Sequence, residues 1–115
     1  MKRLEQKVAI ITGAAMGQGA AEAYLFAKEG AKVIAADLAM EELEKTVAKI
    51  NESFPGSAIA ARLNVADEAN WQDVVKLAVD TFGTVDILVN NAGVVRGKSE
   101  AFHRTAEEYW KRLIE

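Results

Sequence analysis

Four short apolar runs mark the chain: VAII from Val8, VIAA from Val33, AIAARL from Ala58 and VDILV from Val85. They are nearly continuous rather than alternating, the pattern of strands buried on both faces. Between them the hydrophobic positions change period. Met40, Leu43, Val47, Ile50 and Phe54 recur at steps of three and four, as do Trp71, Val75, Ala78 and Phe82. Each set forms one apolar stripe along a helix. Ala20, Ala23 and Ala27 give a thinner stripe of small side chains, which lets a first helix lie close against a sheet.

The turn chemistry fits this parsing. Gly30 and Gly83 stand where helix ends need a left-handed residue, and Asp67 can N-cap the third helix. Thr105 with Glu108 fits a capping box opening a fourth, and Pro55-Gly56 ends the second before its next strand. Strands begin at roughly 25- to 30-residue intervals, room for one strand, a crossover helix and its turns. The predicted order is β-α-β-α-β-α-β-α. Right-handed crossovers make this an α/β fold, a parallel sheet in the order 3-2-1-4 with helices on both faces, occupying residues 1–115 without linker or repeat.

Composition narrows the function. With 115 residues, 50% hydrophobic and 27% charged, the chain is one ordinary globular domain or part of one. The net charge is −3, and the 14 Lys and Arg are scattered rather than striped, so neither nucleic acid nor an anionic membrane is expected as a partner. Cysteine is absent, which excludes disulfides and thiolate metal sites and makes any redox chemistry depend on an external cofactor. The opening MKRLEQKVAIITGAAMG sets basic residues before an apolar run as a signal peptide does, but Glu5 interrupts it and the run ends at Thr12. No apolar stretch approaches the roughly 20 residues that span a bilayer. The expected location is cytoplasmic.

One segment breaks the economy of the rest. TGAAMGQG, Thr12 to Gly19, gives up side chains at Gly13, Gly17 and Gly19, between the first strand and the first helix. Glycine there marks a tight turn or a place where something approaches the backbone. The carboxyl edge of a parallel sheet is where open α/β folds bind ligands, and a helix N-terminus offers unpaired N–H groups to phosphate. The spacing is G-x-x-x-G-x-G, not the more familiar G-x-G-x-x-G, and a purely structural turn also explains it. Asp37 ends the second strand at close to the distance of about 20 residues at which an acidic side chain meets the adenosine ribose of a dinucleotide. A carboxylate there accepts both ribose hydroxyls and repels a 2′-phosphate, which favours NAD over NADP. No Lys or Arg lies between Gly13 and Gly19 or beside Asp37 to offset that repulsion.

TGAAMGQG, Asp37, Asn64-Val65 and the NNAG run Asn90 to Gly93 stand in the order and spacing of the short-chain dehydrogenase/reductase family, which the whole chain resembles. The resemblance implies a Rossmann-type nucleotide-binding fold. It places the backbone around Gly13, Met16, Gly17, Gln18 and Gly19 beside the pyrophosphate and adenosine, Asp37 and Leu38 at the ribose, and Asn64 and Val65 at the adenine. Many relatives have Asp where Asn64 stands, so the carboxamide would have to serve without a charge. Asn91, Ala92 and Gly93 would approach the cofactor, while Asn90 would tie neighbouring strands together.

The resemblance further implies hydride transfer between a nicotinamide and a secondary alcohol or ketone, with a Tyr as acid and base, a Lys four residues later, a Ser and an Asn. An unperturbed phenol titrates near pH 10, so such a Tyr needs a cation beside it. The chain has one Y-x-x-x-K, Tyr24 to Lys28, but it lies on the first helix just past the glycines, where a packed aromatic and a surface lysine explain it. Tyr109 has Leu113 where Lys is required, and His103 and Ser99 have no predicted partner. No catalytic residue and no metal site is therefore expected within 1–115. TAEEYWKRLIE resembles the start of the helix that carries the family's supporting Asn. The expectation is the cofactor-binding half of a longer dehydrogenase, inactive and marginally stable alone, with full-length relatives forming dimers or tetramers. The alternative is a non-catalytic nucleotide-binding module, or a subunit completed by a partner chain. Only the first predicts Ser and Tyr-x-x-x-Lys downstream.

Overall fold

The structure is a computed structural model and describes residues 3–91. The predicted capping box at Thr105 and the candidates Ala92, Gly93, Ser99, His103 and Tyr109 lie outside the described residues. Seven elements alternate as predicted: β1 (Val8–Thr12), α1 (Gly17–Lys28), β2 (Lys32–Asp37), α2 (Met40–Ser53), β3 (Ala58–Arg62), α3 (Glu68–Phe82) and β4 (Ile87–Asn90). The four strands form one sheet in the order β3-β2-β1-β4, every pairing parallel. Among the described residues β4 pairs with β1 only.

Strand parity sorts the core into two layers. Ala9, Ile11, Val33 and Ala35 face one side and pack with Ala23 and Ala27 of α1 and Leu43 and Ile50 of α2. Val8, Ile10, Ile34 and Ala36 face the other and pack with Trp71, Val74, Val75 and Ala78 of α3. Because both faces are covered, β1 is buried at all five positions. That explains why its sequence has no polar alternation. The stripes predicted for α2 and α3 are the faces that dock: Leu43 and Ile50 are buried, with Met40, Val47 and Phe54 packed around them.

Element ends follow local chemistry. Asp67 caps α3, its carboxylate accepting from the Asn70 N–H at 3.2 Å, and Gly83 closes the helix in the left-handed region. The fourth strand begins at Ile87, and Asp86 just before it is paired with Val8. The Asp86 carboxylate there accepts the Val8 N–H at 2.9 Å, while the Asp86 N–H donates to the Val8 carbonyl at 2.8 Å. Among the described residues no helix is long and apolar enough to cross a membrane.

Trp71 joins the core to the region above the sheet. It is 1% exposed, and its indole Nε1 donates to the Val65 carbonyl at 2.9 Å. Trp71→Ala leaves a cavity under β1 and β2 and an unanswered carbonyl, with an expected loss of ~3–5 kcal/mol. Urea denaturation measures it, and a midpoint unchanged from the parent contradicts the account.

Candidate nucleotide-binding site

A cleft of about 200 Å³ opens at the carboxyl edge of the sheet, lined by Thr12, Gly13, Ala36, Asp37, Leu38, Leu63 and Val65. Its walls are the ends of β1, β2 and β3, and its rim includes the half-exposed Leu38 (51%). Of the residues singled out from sequence, Gly13, Asp37, Leu38 and Val65 meet here. Thr12, Ala36 and Leu63 join them, each an apolar or small residue within one position of a strand end.

The glycine loop is held in place by three neighbours. The Ala14 N–H donates to the Ala36 carbonyl at 3.2 Å, which extends the β1–β2 pairing into the loop. The Ala15 N–H donates to Asp37 Oδ2 at 3.1 Å, and Thr46 Oγ1 of α2 donates to the Ala15 carbonyl at 2.8 Å. Asp37 Oδ1 accepts the Ala39 N–H at 3.1 Å. The carboxylate predicted to face a ribose therefore also latches the loop, one oxygen to each side. Each oxygen keeps a further lone pair for an outside donor.

The two later glycines serve different needs. Gly17 has φ +62, and a Cβ built on it meets no atom within 4 Å. It opens α1 in a conformation that side chains resist, facing empty space. Gly19 is buried, and a Cβ there would run into the Gly13 carbonyl, with Gly13 C at 2.7 Å and Ala14 Cα at 3.1 Å. Its missing side chain lets α1 sit close against the loop. No side chain caps α1: Met16 is its N-cap residue, 61% exposed, without a capping hydrogen bond, and no acidic residue lies in the first turn. Met16, Gly17 and Gln18 thus stand at an uncapped, exposed helix tip beside the cleft rather than in its lining.

Asn64 is engaged locally, at the turn that follows β3. Its Oδ1 accepts the Ala66 N–H at 3.0 Å, and its own N–H donates to Asn70 Oδ1 at 2.7 Å. The side chain shapes the turn between β3 and α3, and Val65 alone of the pair lines the cleft. Sequence order could not reveal this, since Asn-x-x at a strand end is equally an Asx turn.

At the end of β4, Thr12 Oγ1 donates to Asn90 Oδ1 at 2.8 Å and accepts the Asn91 N–H at 2.9 Å. Asn90 therefore ties β4 to β1. Asn91 Nδ2 donates to Glu22 Oε1 of α1 at 2.6 Å. Tyr24 takes no part in this region. Its hydroxyl donates to Ser53 Oγ at 3.3 Å, and its ring meets Phe54 edge-on with centroids 5.2 Å apart, so it fastens α1 to the end of α2. Among the described residues no group of three or more His, Cys, Asp or Glu is placed to hold a metal.

The uncapped tip of α1 stands beside a cleft with Asp37 in its wall, and the chain is similar to proteins of known activity. The chain is 46% identical over 112 residues to the 3-oxoacyl-[acyl-carrier-protein] reductase FabG of Thermotoga maritima, a match covering 97% of this chain and 44% of that protein. It is 41% identical over 112 residues to the 2,5-dichloro-2,5-cyclohexadiene-1,4-diol dehydrogenase LinX of Sphingobium indicum, again covering 97% and 44%. The chain thus spans less than half the length of these relatives. Among solved structures, a hydroxysteroid dehydrogenase from Escherichia coli superposes with a TM-score of 0.85 at 29% identity, over 92% of this chain and 53% of that one. A short-chain dehydrogenase/reductase from Burkholderia phymatum, solved in complex with NAD, gives 0.71 at 34% identity, over 76% and 31%. The sequence pattern of the short chain dehydrogenases matches from residue 7 to residue 115, over a sheet that runs in the order these motifs require, and the chain belongs to that family.

Proposed function

We propose that the chain binds NAD in preference to NADP and forms the dinucleotide-binding part of an oxidoreductase acting on a secondary alcohol or the matching ketone. The observation that carries this reading is the Asp37 carboxylate, fixed by two backbone N–H groups at the cleft lined by Gly13, Leu38 and Val65. A fixed negative charge at the sugar position accepts a diol and opposes a phosphate. The empty space over Gly17 and the uncapped tip of α1 leave room and donors for a diphosphate. The nicotinamide would supply the hydride or accept it. The chain's own residues bind and orient: Leu38 and Val65 offer apolar faces to the adenosine, and the Thr12–Asn90 pair ties the ends of β1 and β4 together. The protein location consistent with this activity is the cytoplasm, and its full-length form would work on a small-molecule substrate as a homo-oligomer.

Calorimetric titration of NAD and NADP into the chain tests the reading. NAD is expected to bind measurably and NADP more weakly. Gly17→Val fills the space above the helix tip and is expected to abolish binding, at a cost in stability of ~1–2 kcal/mol for a side chain at positive φ. Equal affinity of parent and variant, or equal binding of the two nucleotides by the parent, contradicts it.

A further inference from the structure

Glu22 lies one turn beyond the glycines on α1, half-buried, within the helix's alanine-rich stretch. A carboxylate so near an anion-binding helix tip works against a diphosphate unless something else requires it. Its contact does: at 2.6 Å, Glu22 Oε1 takes the Asn91 carboxamide in a charge-assisted hydrogen bond across 69 residues of sequence.

The place of this bond matters more than its strength. In the order β3-β2-β1-β4 the chain winds outward from β1 in both directions, so the crevice of a doubly wound sheet lies between the carboxyl ends of β1 and β4. One lip is the glycine loop and the tip of α1; the other is Asn90 and Asn91. Thr12 joins the two strands at the floor of the crevice. Glu22 joins the lips themselves, the helix to the residue that follows β4. A carboxylate only accepts, so the bond also fixes the amide: Nδ2 toward α1, Oδ1 the other way.

We propose that Glu22 is a positioning residue for the dinucleotide, setting the width of the crevice and the orientation of Asn91; the inference rests on the nucleotide-binding reading above. Neither residue of the pair is exposed, and a bond between a helix and a strand end that skips the strand itself is not needed to close the sheet, since Thr12 already does so.

The test is calorimetric titration of NAD into the full chain and four variants: Glu22→Gln, Glu22→Leu, Asn91→Ala and the Glu22→Leu/Asn91→Ala double. Leucine keeps the bulk and helix propensity and removes the acceptor, and affinity is expected to fall about tenfold. Glutamine still accepts through its carbonyl and should stay within about threefold of the parent. Once Asn91 is alanine, Glu22→Leu should make no further difference, as expected of two residues acting through one bond. Glu22→Leu binding like the parent overturns the proposal, as do Glu22→Gln as weak as Glu22→Leu and losses that add in the double variant. Thermal melting shows which variants are folded. Should Glu22→Leu not fold, the Asn91 carboxamide protons decide. They are expected to move upfield in Glu22→Gln, which lacks the charge, while affinity holds; unmoved resonances overturn the contact. A parent that takes up no NAD overturns the nucleotide reading and this inference with it, a result distinct from a parent that binds but is indifferent to position 22.

Discussion

Gly19→Ala is expected to damage the fold itself, while Gly17→Val damages binding. The added methyl at Gly19 meets the Gly13 carbonyl and the Ala14 Cα, backbone atoms of a loop already pinned by Ala36, Asp37 and Thr46. A flexible side chain could swing aside; these atoms cannot. The expected penalty lies at the upper end of the ~1–3 kcal/mol typical of overpacking, a sizeable share of the 5–15 kcal/mol that holds an ordinary domain together. Urea denaturation should show a lower midpoint at unchanged slope. A midpoint equal to the parent's contradicts the packing role, and a midpoint equal to the parent's with NAD binding lost would assign Gly19 to the ligand instead.

Asp37→Ala removes two things together. It takes away the acceptor proposed for the ribose hydroxyls, with an expected loss of NAD affinity of about ten- to a hundredfold, the worth of charge-assisted hydrogen bonds. It also frees the Ala15 and Ala39 N–H groups, loosening the glycine loop proposed to receive the diphosphate. The ratio of NAD to NADP affinity should fall toward unity, because NAD loses its diol acceptor while the repulsion of a 2′-phosphate is relieved. Asp37→Asn separates the two effects poorly, since its NH2 group would oppose one of the same backbone donors. Calorimetry with both nucleotides on parent and variant measures the ratio, and an unchanged ratio contradicts the sugar-selecting role.

The architecture was largely written in the chain. Continuous runs such as VAII can only be central strands when both faces are covered, and the stripes of α2 and α3 name their docking faces. The strand order followed from the same arrangement, because short right-handed crossovers leave few alternatives. That Gly13, Asp37, Leu38 and Val65 meet at one cleft was legible for a different reason: a loop after β1 and the ends of β2 and β3 share one edge of such a sheet. What stayed hidden were contacts that depend on where elements meet. Nothing local announces that Thr46 reaches the Ala15 carbonyl, that Glu22 finds Asn91, or that Asn64 turns into its own loop. The glycines were legible as a group but not one by one. Gly17 and Gly19 read alike in sequence, yet one faces open space and the other a carbonyl.

The threefold fastening of the glycine loop, by β2, Asp37 and Thr46, means that this segment is preorganised. A nucleotide settling there has no backbone to order and so avoids the entropic penalty that flexible phosphate loops impose. The heat-capacity change on association should then reflect only the apolar surface that the adenine covers, without the larger signature of coupled folding.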